Sequence, residues 1–163
     1  MENGKLVSGG IVVGALILLK LAAKTAFIGA IFGGFFGGAS YVKTEYEMSV
    51  DHMKTEAEYT NKQKSGTEMH EGYRFDHAYV DEDTKRLIYD YTWVQVSKQD
   101  LDSVVPSELI KGIQEDKEYS IRYLKSEAMF KTLFEHGWSV EYRSKTNDGI
   151  LAEDYVITRQ DIL

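Results

Sequence analysis

The sequence predicts an α+β protein in two parts: an N-terminal glycine-rich transmembrane helix, then a two-layer sandwich of a four-stranded antiparallel sheet packed by helices. Three observations predict it. Residues 6–42 form an apolar run whose only charges are Lys20 and Lys24, longer than the helices of globular domains and long enough for a bilayer. Beyond position 72, apolar residues alternate with polar ones in four stretches, the period of a half-buried strand. Between the second and third of these the period changes to that of amphipathic helices.

The apolar run comes first. Residues 25–42 make a helix of about 27 Å, close to the roughly 30 Å hydrocarbon thickness of a bilayer, and fit one crossing. Residues 6–19 are shorter, and the linking Lys-Leu-Ala-Ala-Lys-Thr of 20–25 has no glycine or proline to turn a hairpin. They are expected to form a second apolar helix that lies at the interface, packs on a partner or lengthens a tilted crossing. Lys5, Lys20 and Lys24 favour the cytoplasmic side, which places the remainder in the periplasm or outside. Gly38-Ala39-Ser40 would also suit the end of a cleaved signal, but the apolar stretch is far longer than a signal core. Nine of the fourteen glycines precede position 43. Gly29, Gly33 and Gly37 repeat every four residues, a stripe on which another backbone can approach closely, so a helix–helix interface with a copy of itself or another membrane protein is expected there. Membrane lipid is the other expected partner of this segment.

Residues 43–72 read as an amphipathic helix and a loop. Tyr46, Val50, Met53 and Ala57 recur at helical spacing over about 42–60, and 61–72 carries the glycines and polar residues of a connection. The sandwich domain follows over 73–163. Tyr73, Phe75, His77 and Tyr79 alternate with Arg74, Asp76, Ala78 and Val80; after a polar turn at 81–85, Leu87, Tyr89, Tyr91 and Trp93 alternate with Ile88, Asp90, Thr92 and Val94. Ser107 is placed to cap a short helix weakened by Gly112, and Ser126 to cap a better one carrying Met129, Phe130, Leu133 and Phe134 and ended by Gly137. Trp138, Val140 and Tyr142 mark the third strand, and Leu151, Tyr155 and Ile157 the fourth. Asn147-Asp148-Gly149 between them is a hairpin signal, since these residues tolerate positive φ.

The run Val80-Asp81-Glu82-Asp83-Thr84-Lys85-Arg86-Leu87-Ile88-Tyr89-Asp90-Tyr91, the helix with Phe130, Leu133 and Phe134, and Gly137-Trp138-Ser139-Val140-Glu141-Tyr142-Arg143 with a turn ending in Gly149 carry a resemblance. Over about 75–163 the chain resembles small bacterial envelope α/β-sandwich proteins, and is distantly similar to the α/β class of type II secretion pilotins. The resemblance implies an envelope sandwich that binds or assembles. Those proteins usually pair two cysteines, and this chain has none, so the resemblance transfers no functional residue.

Charge and motifs narrow the functional classes. From 43 to 163 there are 16 basic against 25 acidic side chains, a balance that repels nucleic acid. Without cysteine there is no disulfide or thiolate metal site. His52, His70, His77 and His136 share no ligand spacing, so no metal and no cofactor is expected. No nucleophile elbow or phosphate-cradling loop occurs, and Glu153 and Asp154 point to opposite faces of a strand, so no catalytic residue is assigned. The aromatic residues are left as the binding feature, with Trp93 and Trp138, near strand ends, as candidate partner contacts. The sequence therefore predicts a non-enzymatic envelope protein in the bacterial inner membrane, its soluble domain periplasmic, acting in a membrane complex. The alternative is a tethered immunity or inhibitor protein whose acidic domain neutralises a basic toxin or enzyme.

Overall fold

The computed structural model describes residues 44–163, Glu71 excepted. The expected membrane helix, with Gly29, Gly33 and Gly37, lies outside the described residues. Among those described, no helix is long and apolar enough to cross a membrane.

Helix α1 (Glu45–Lys64) starts because Thr44 and Glu47 close a capping box, each side chain accepting from the other's backbone N–H. Glu45 and Glu47 in its first turn and Lys62 and Lys64 in its last complement the helix dipole. It buries Met53 and Ala57 in the core shared with the strands. The helix runs four residues past the expected end at 60, and 61–72 is not all loop, since it contains β1 (Glu68–His70).

Four longer strands follow: β2 (Tyr73–Asp81), β3 (Arg86–Trp93), β4 (Ser139–Thr146) and β5 (Leu151–Ile157). Among the described residues the sheet is five-stranded, in the order β1-β2-β3-β4-β5. All pairs are antiparallel except β3 and β4, which run parallel with Leu87 opposite Val140 and Tyr89 opposite Tyr142. The expected four-stranded antiparallel sheet is thus corrected to a five-stranded mixed one. Direction is set by the connection, and β3 reaches β4 through a long helical crossover of the kind that parallel pairs need.

That crossover holds α2 (Lys98–Asp102), α3 (Pro106–Ser126) and α4 (Ala128–Glu135), and the chain ends in α5 (Arg159–Ile162). The short helix expected after Ser107 is instead one of 21 residues. Pro106 occupies its first position, where a fixed φ favours helix and the missing N–H costs nothing. Gly112 does not break it. That residue is buried in line with Asp116, Ser120 and Leu124, on the side of the helix whose Asp116 and Ser120 meet Tyr155. Ser126 ends α3 with its hydroxyl on the Tyr123 carbonyl, 2.6 Å away, and Glu127 occupies the cap position of α4. Phe130, Leu133 and Phe134 are buried as the spacing predicts, and Gly137, at φ 84°, turns the chain out of α4. The Asn147–Gly149 turn likewise forms, with Gly149 at φ 82°.

One strand departs from simple alternation. Tyr73 and Phe75 face the core, but a β-bulge between Phe75 and His77 shifts the register, so Ala78 faces inward and Tyr79 outward. Sequence alternation places His77 and Tyr79 with Tyr73 and Phe75; the extra residue of the bulge puts them on the opposite face. The core-facing residues of β3, β4 and β5 pack in one cluster with Met53, Ala57, Leu124, Phe130, Leu133 and Phe134. Helices thus cover one face of the sheet.

Candidate binding surfaces

Two regions combine exposed chemistry with a fixed geometry. The first lies where the described chain begins. The first turn of α1 presents Tyr46, the end of α4 presents His136, and the residue before β4 is Trp138. The Trp138 indole N–H donates to the Tyr46 hydroxyl at 3.0 Å, and the rings of Tyr46 and His136 stack at 4.1 Å with 16° between their planes. His136 Nδ1–H donates to the Thr132 carbonyl at 2.8 Å, Thr132 Oγ1 donates to Glu45 Oε1 at 3.2 Å, and Lys85 Nζ donates to the His136 carbonyl at 3.0 Å. A hollow of about 530 Å³ opens on one side, lined by Thr44, Glu45, Lys131, Thr132, Glu135 and His136 among others. A smaller one of about 320 Å³ on the other side is lined by Val50, Asp51, Lys54, Glu82, Lys85 and Trp138 among others.

The second region is the other face of the sheet, built from Arg74, Asp76 and Tyr79 of β2, Arg86, Ile88, Asp90 and Thr92 of β3, Glu141, Arg143 and Lys145 of β4, and Asp154 of β5. Arg143 grips Asp90 with both arms of its guanidinium, Nε to Oδ1 at 2.7 Å and Nη2 to Oδ2 at 2.9 Å. The same Nη2 donates to the Tyr79 hydroxyl at 2.6 Å. Arg86 donates to Glu141 at 2.9 Å, while Asp76 accepts from Arg74 at 2.7 Å and from Thr92 at 2.6 Å. The bond to Asp90 holds the Arg143 guanidinium well above its ordinary pKa. Burial, and then Glu141 nearby, push the Asp154 carboxyl up.

The aromatic interior has its own polar links. The Tyr155 hydroxyl donates to Asp116 at 2.6 Å and meets Ser120 at 3.0 Å, tying α3 to β5. Ser144 donates to the buried Glu153 at 2.8 Å and meets the Tyr73 hydroxyl at 3.2 Å. Burial is the main cause that raises the pKa of Tyr73, Tyr89, Tyr91, Tyr142 and Tyr155.

The structure places the two tryptophans differently from expectation. Trp93 is 0% exposed and Trp138 is 4% exposed, so neither stands out from the surface. Trp93 lies on the helix-covered face of β3. The connection after α4 brings Trp138 under Tyr46, where the edge of the ring still borders the smaller hollow. Glu153 and Asp154 do point to opposite faces, one buried and the other exposed. Among the described residues no group of three metal-capable side chains comes together. Sequence reasoning missed Tyr79, Asp90 and Arg143. The alternation of charge with aromatics in β3 and β4 was the available signal, but the bulge that turns Tyr79 to their side had none.

The fold has counterparts among solved structures. A candidate secreted protein of Pseudomonas aeruginosa is similar with a TM-score of 0.52 and 10% identity, over 77% of this chain and 100% of that one. The type 2 secretion pilotin EpsS of Vibrio vulnificus has a TM-score of 0.47 and 11% identity, over 73% of this chain and 96% of its own. The type II secretion pilotin AspS of Vibrio cholerae has a TM-score of 0.44 and 9% identity, over 72% and 94% respectively. The similarity to the two pilotins is structural and distant. No protein-family model matches the chain, and no curated protein does.

Proposed function

We propose that the chain is a non-enzymatic, membrane-anchored protein of the bacterial envelope whose sheet face serves as a binding or assembly surface in a membrane complex. The observation that carries this reading is the open polar face, ordered by the Arg143–Asp90 fork and the Arg143–Tyr79 and Arg86–Glu141 contacts. Side chains already held in one arrangement lose little entropy when a partner binds, and arginine and tyrosine are the residue types enriched at such interfaces. In this reading residues 25–42 cross the inner membrane once, Gly29, Gly33 and Gly37 meet a second copy or another membrane subunit, and the domain stands in the periplasm.

The test is charge exchange at two exposed positions of this face, Lys145→Glu with Asp154→Lys, in the full chain extracted with mild detergent. Expected is loss of the proteins that co-purify with the parent chain, with tryptophan emission unchanged. Retention of the same proteins by the variant would refute the reading. The acidic excess over 43–163 favours a second reading, an inhibitor of a basic protein. That alternative predicts affinity falling steeply with salt, whereas a packed assembly contact changes little.

A further inference from the structure

We propose that the hollow at the start of α1 takes the headgroup of a zwitterionic phospholipid bearing a primary ammonium, so that the domain rests on the bilayer by this end. The inference rests on the anchored reading for its location and on the lining of the hollow for its chemistry. The apolar run ends at Val42, and Thr44 lines the hollow. Two residues reach at most about 7 Å, so an anchor ending there brings the rim of the hollow to the headgroup layer.

The lining presents opposite charges one helical turn apart. Lys131 and Glu135 are four residues apart on α4, a spacing that puts them about 5–6 Å apart on the same face. Both line the hollow and both are exposed. Among the described residues they form no ion pair with each other or with a third group. A phosphate beside Lys131 and an ammonium beside Glu135 would match that pair, and the Thr44 and Thr132 hydroxyls border the same space. His136, stacked on Tyr46, supplies a flat wall. A volume of about 530 Å³ lies within the range of small-ligand sites. A purely anionic headgroup would set its charge beside the Glu45 and Glu135 carboxylates with no ammonium to offset them. A trimethylated ammonium fills the space but has no N–H to donate to a carboxylate.

The test uses the full chain reconstituted in nanodiscs containing phosphatidylethanolamine, phosphatidylglycerol and phosphatidylcholine in equal parts, released and weighed by native mass spectrometry. Expected is a phosphatidylethanolamine adduct in preference to the other two, reduced about tenfold in Lys131→Gln and in Glu135→Gln, as loss of one charge-assisted bond predicts. Both side chains are exposed, so the variants keep the parent's tryptophan emission. Equal retention of all three lipids, or an adduct indifferent to both substitutions, would overturn the headgroup site while leaving the anchor in place. A chain that does not enter the nanodiscs would overturn the anchor, and this inference with it.

Discussion

Asn61 offers the sharpest test of how α1 is fastened to the sheet. Beyond the short β1, no strand among the described residues borders the outer edge of β2, yet Ala78 on that edge is 1% exposed. The Asn61 side chain stands in for the missing strand. Its Oδ1 accepts from the Ala78 N–H at 2.7 Å, and its Nδ2 donates to the Ala78 carbonyl at 2.5 Å. Asn61→Ala removes both partners and leaves a buried donor and a buried acceptor unsatisfied, at about 1–3 kcal/mol each before water enters. Partial rehydration through the truncated side chain lowers the total, and about 2–3 kcal/mol is expected. Asn61→Asp keeps the acceptor for the N–H but sets a carboxylate oxygen against the Ala78 carbonyl, so it should cost at least as much. The assay is urea unfolding of the full chain in mild detergent, read by tryptophan emission, because both tryptophans are buried in this domain. In a thermal melt the same domain should lose about 3–5 °C in Tm for each kcal/mol. A loss below about 0.5 kcal/mol for Asn61→Ala, no larger than that of a surface change such as Lys62→Ala, would show that the paired bonds do not fasten the helix.

Other outcomes follow from the same structure. Trp93→Ala should destabilise the domain by about 3–5 kcal/mol, and a soft or unfolded variant in the same urea assay is the expected result; a stable domain that loses its partner would restore Trp93 as a contact. Tyr73, Tyr89, Tyr91, Tyr142 and Tyr155 have pKa values raised by burial in the folded state. Their contribution is therefore fully present below the unfolded tyrosine value near 10 and is lost as pH rises toward the folded values, by about 1.4 kcal/mol per pH unit for each tyrosine. The tyrosinate absorbance of these five should consequently appear together with unfolding above about pH 10; their gradual titration in a folded domain would contradict their burial. In membranes, Gly33→Leu should weaken crosslinking of the chain to its helix partner, since a bulky side chain would hold the backbones apart, and unchanged crosslinking would remove the glycine interface.

Much of the sandwich was legible because its signals are local. Leu87, Tyr89, Tyr91 and Trp93 show the period of a strand in the residues themselves, as do the Phe130–Phe134 helix stopped by Gly137 and the Asn147–Gly149 turn. What was illegible depends on partners distant in the chain. The parallel pairing of β3 with β4 follows from how the crossover packs, and a strand's period is the same in either direction. The bulge after Phe75 inserts one residue without a distinguishing side chain, yet it moves Tyr79 from the core to the open face, where Arg143 receives it. Gly112 reads locally as a weak point in a helix. In the fold it is buried within a long helix, because tertiary packing outweighs its roughly 1 kcal/mol propensity cost. For the tryptophans, position near a strand end gave no information on burial, which Tyr46 of α1 supplies for Trp138 from 92 residues away.

The most direct measurement is photo-crosslinking in living cells from single positions on the two sides of the domain. A crosslinkable residue at 145 or 154 samples the open sheet face, and one at the exposed Gln114 or Glu118 samples the helical layer. The account predicts a discrete crosslinked species from 145 and 154 in the membrane fraction, and none from 114 and 118. Crosslinks confined to the helical positions, or a chain recovered entirely in the soluble fraction with no crosslink from the sheet, would contradict it.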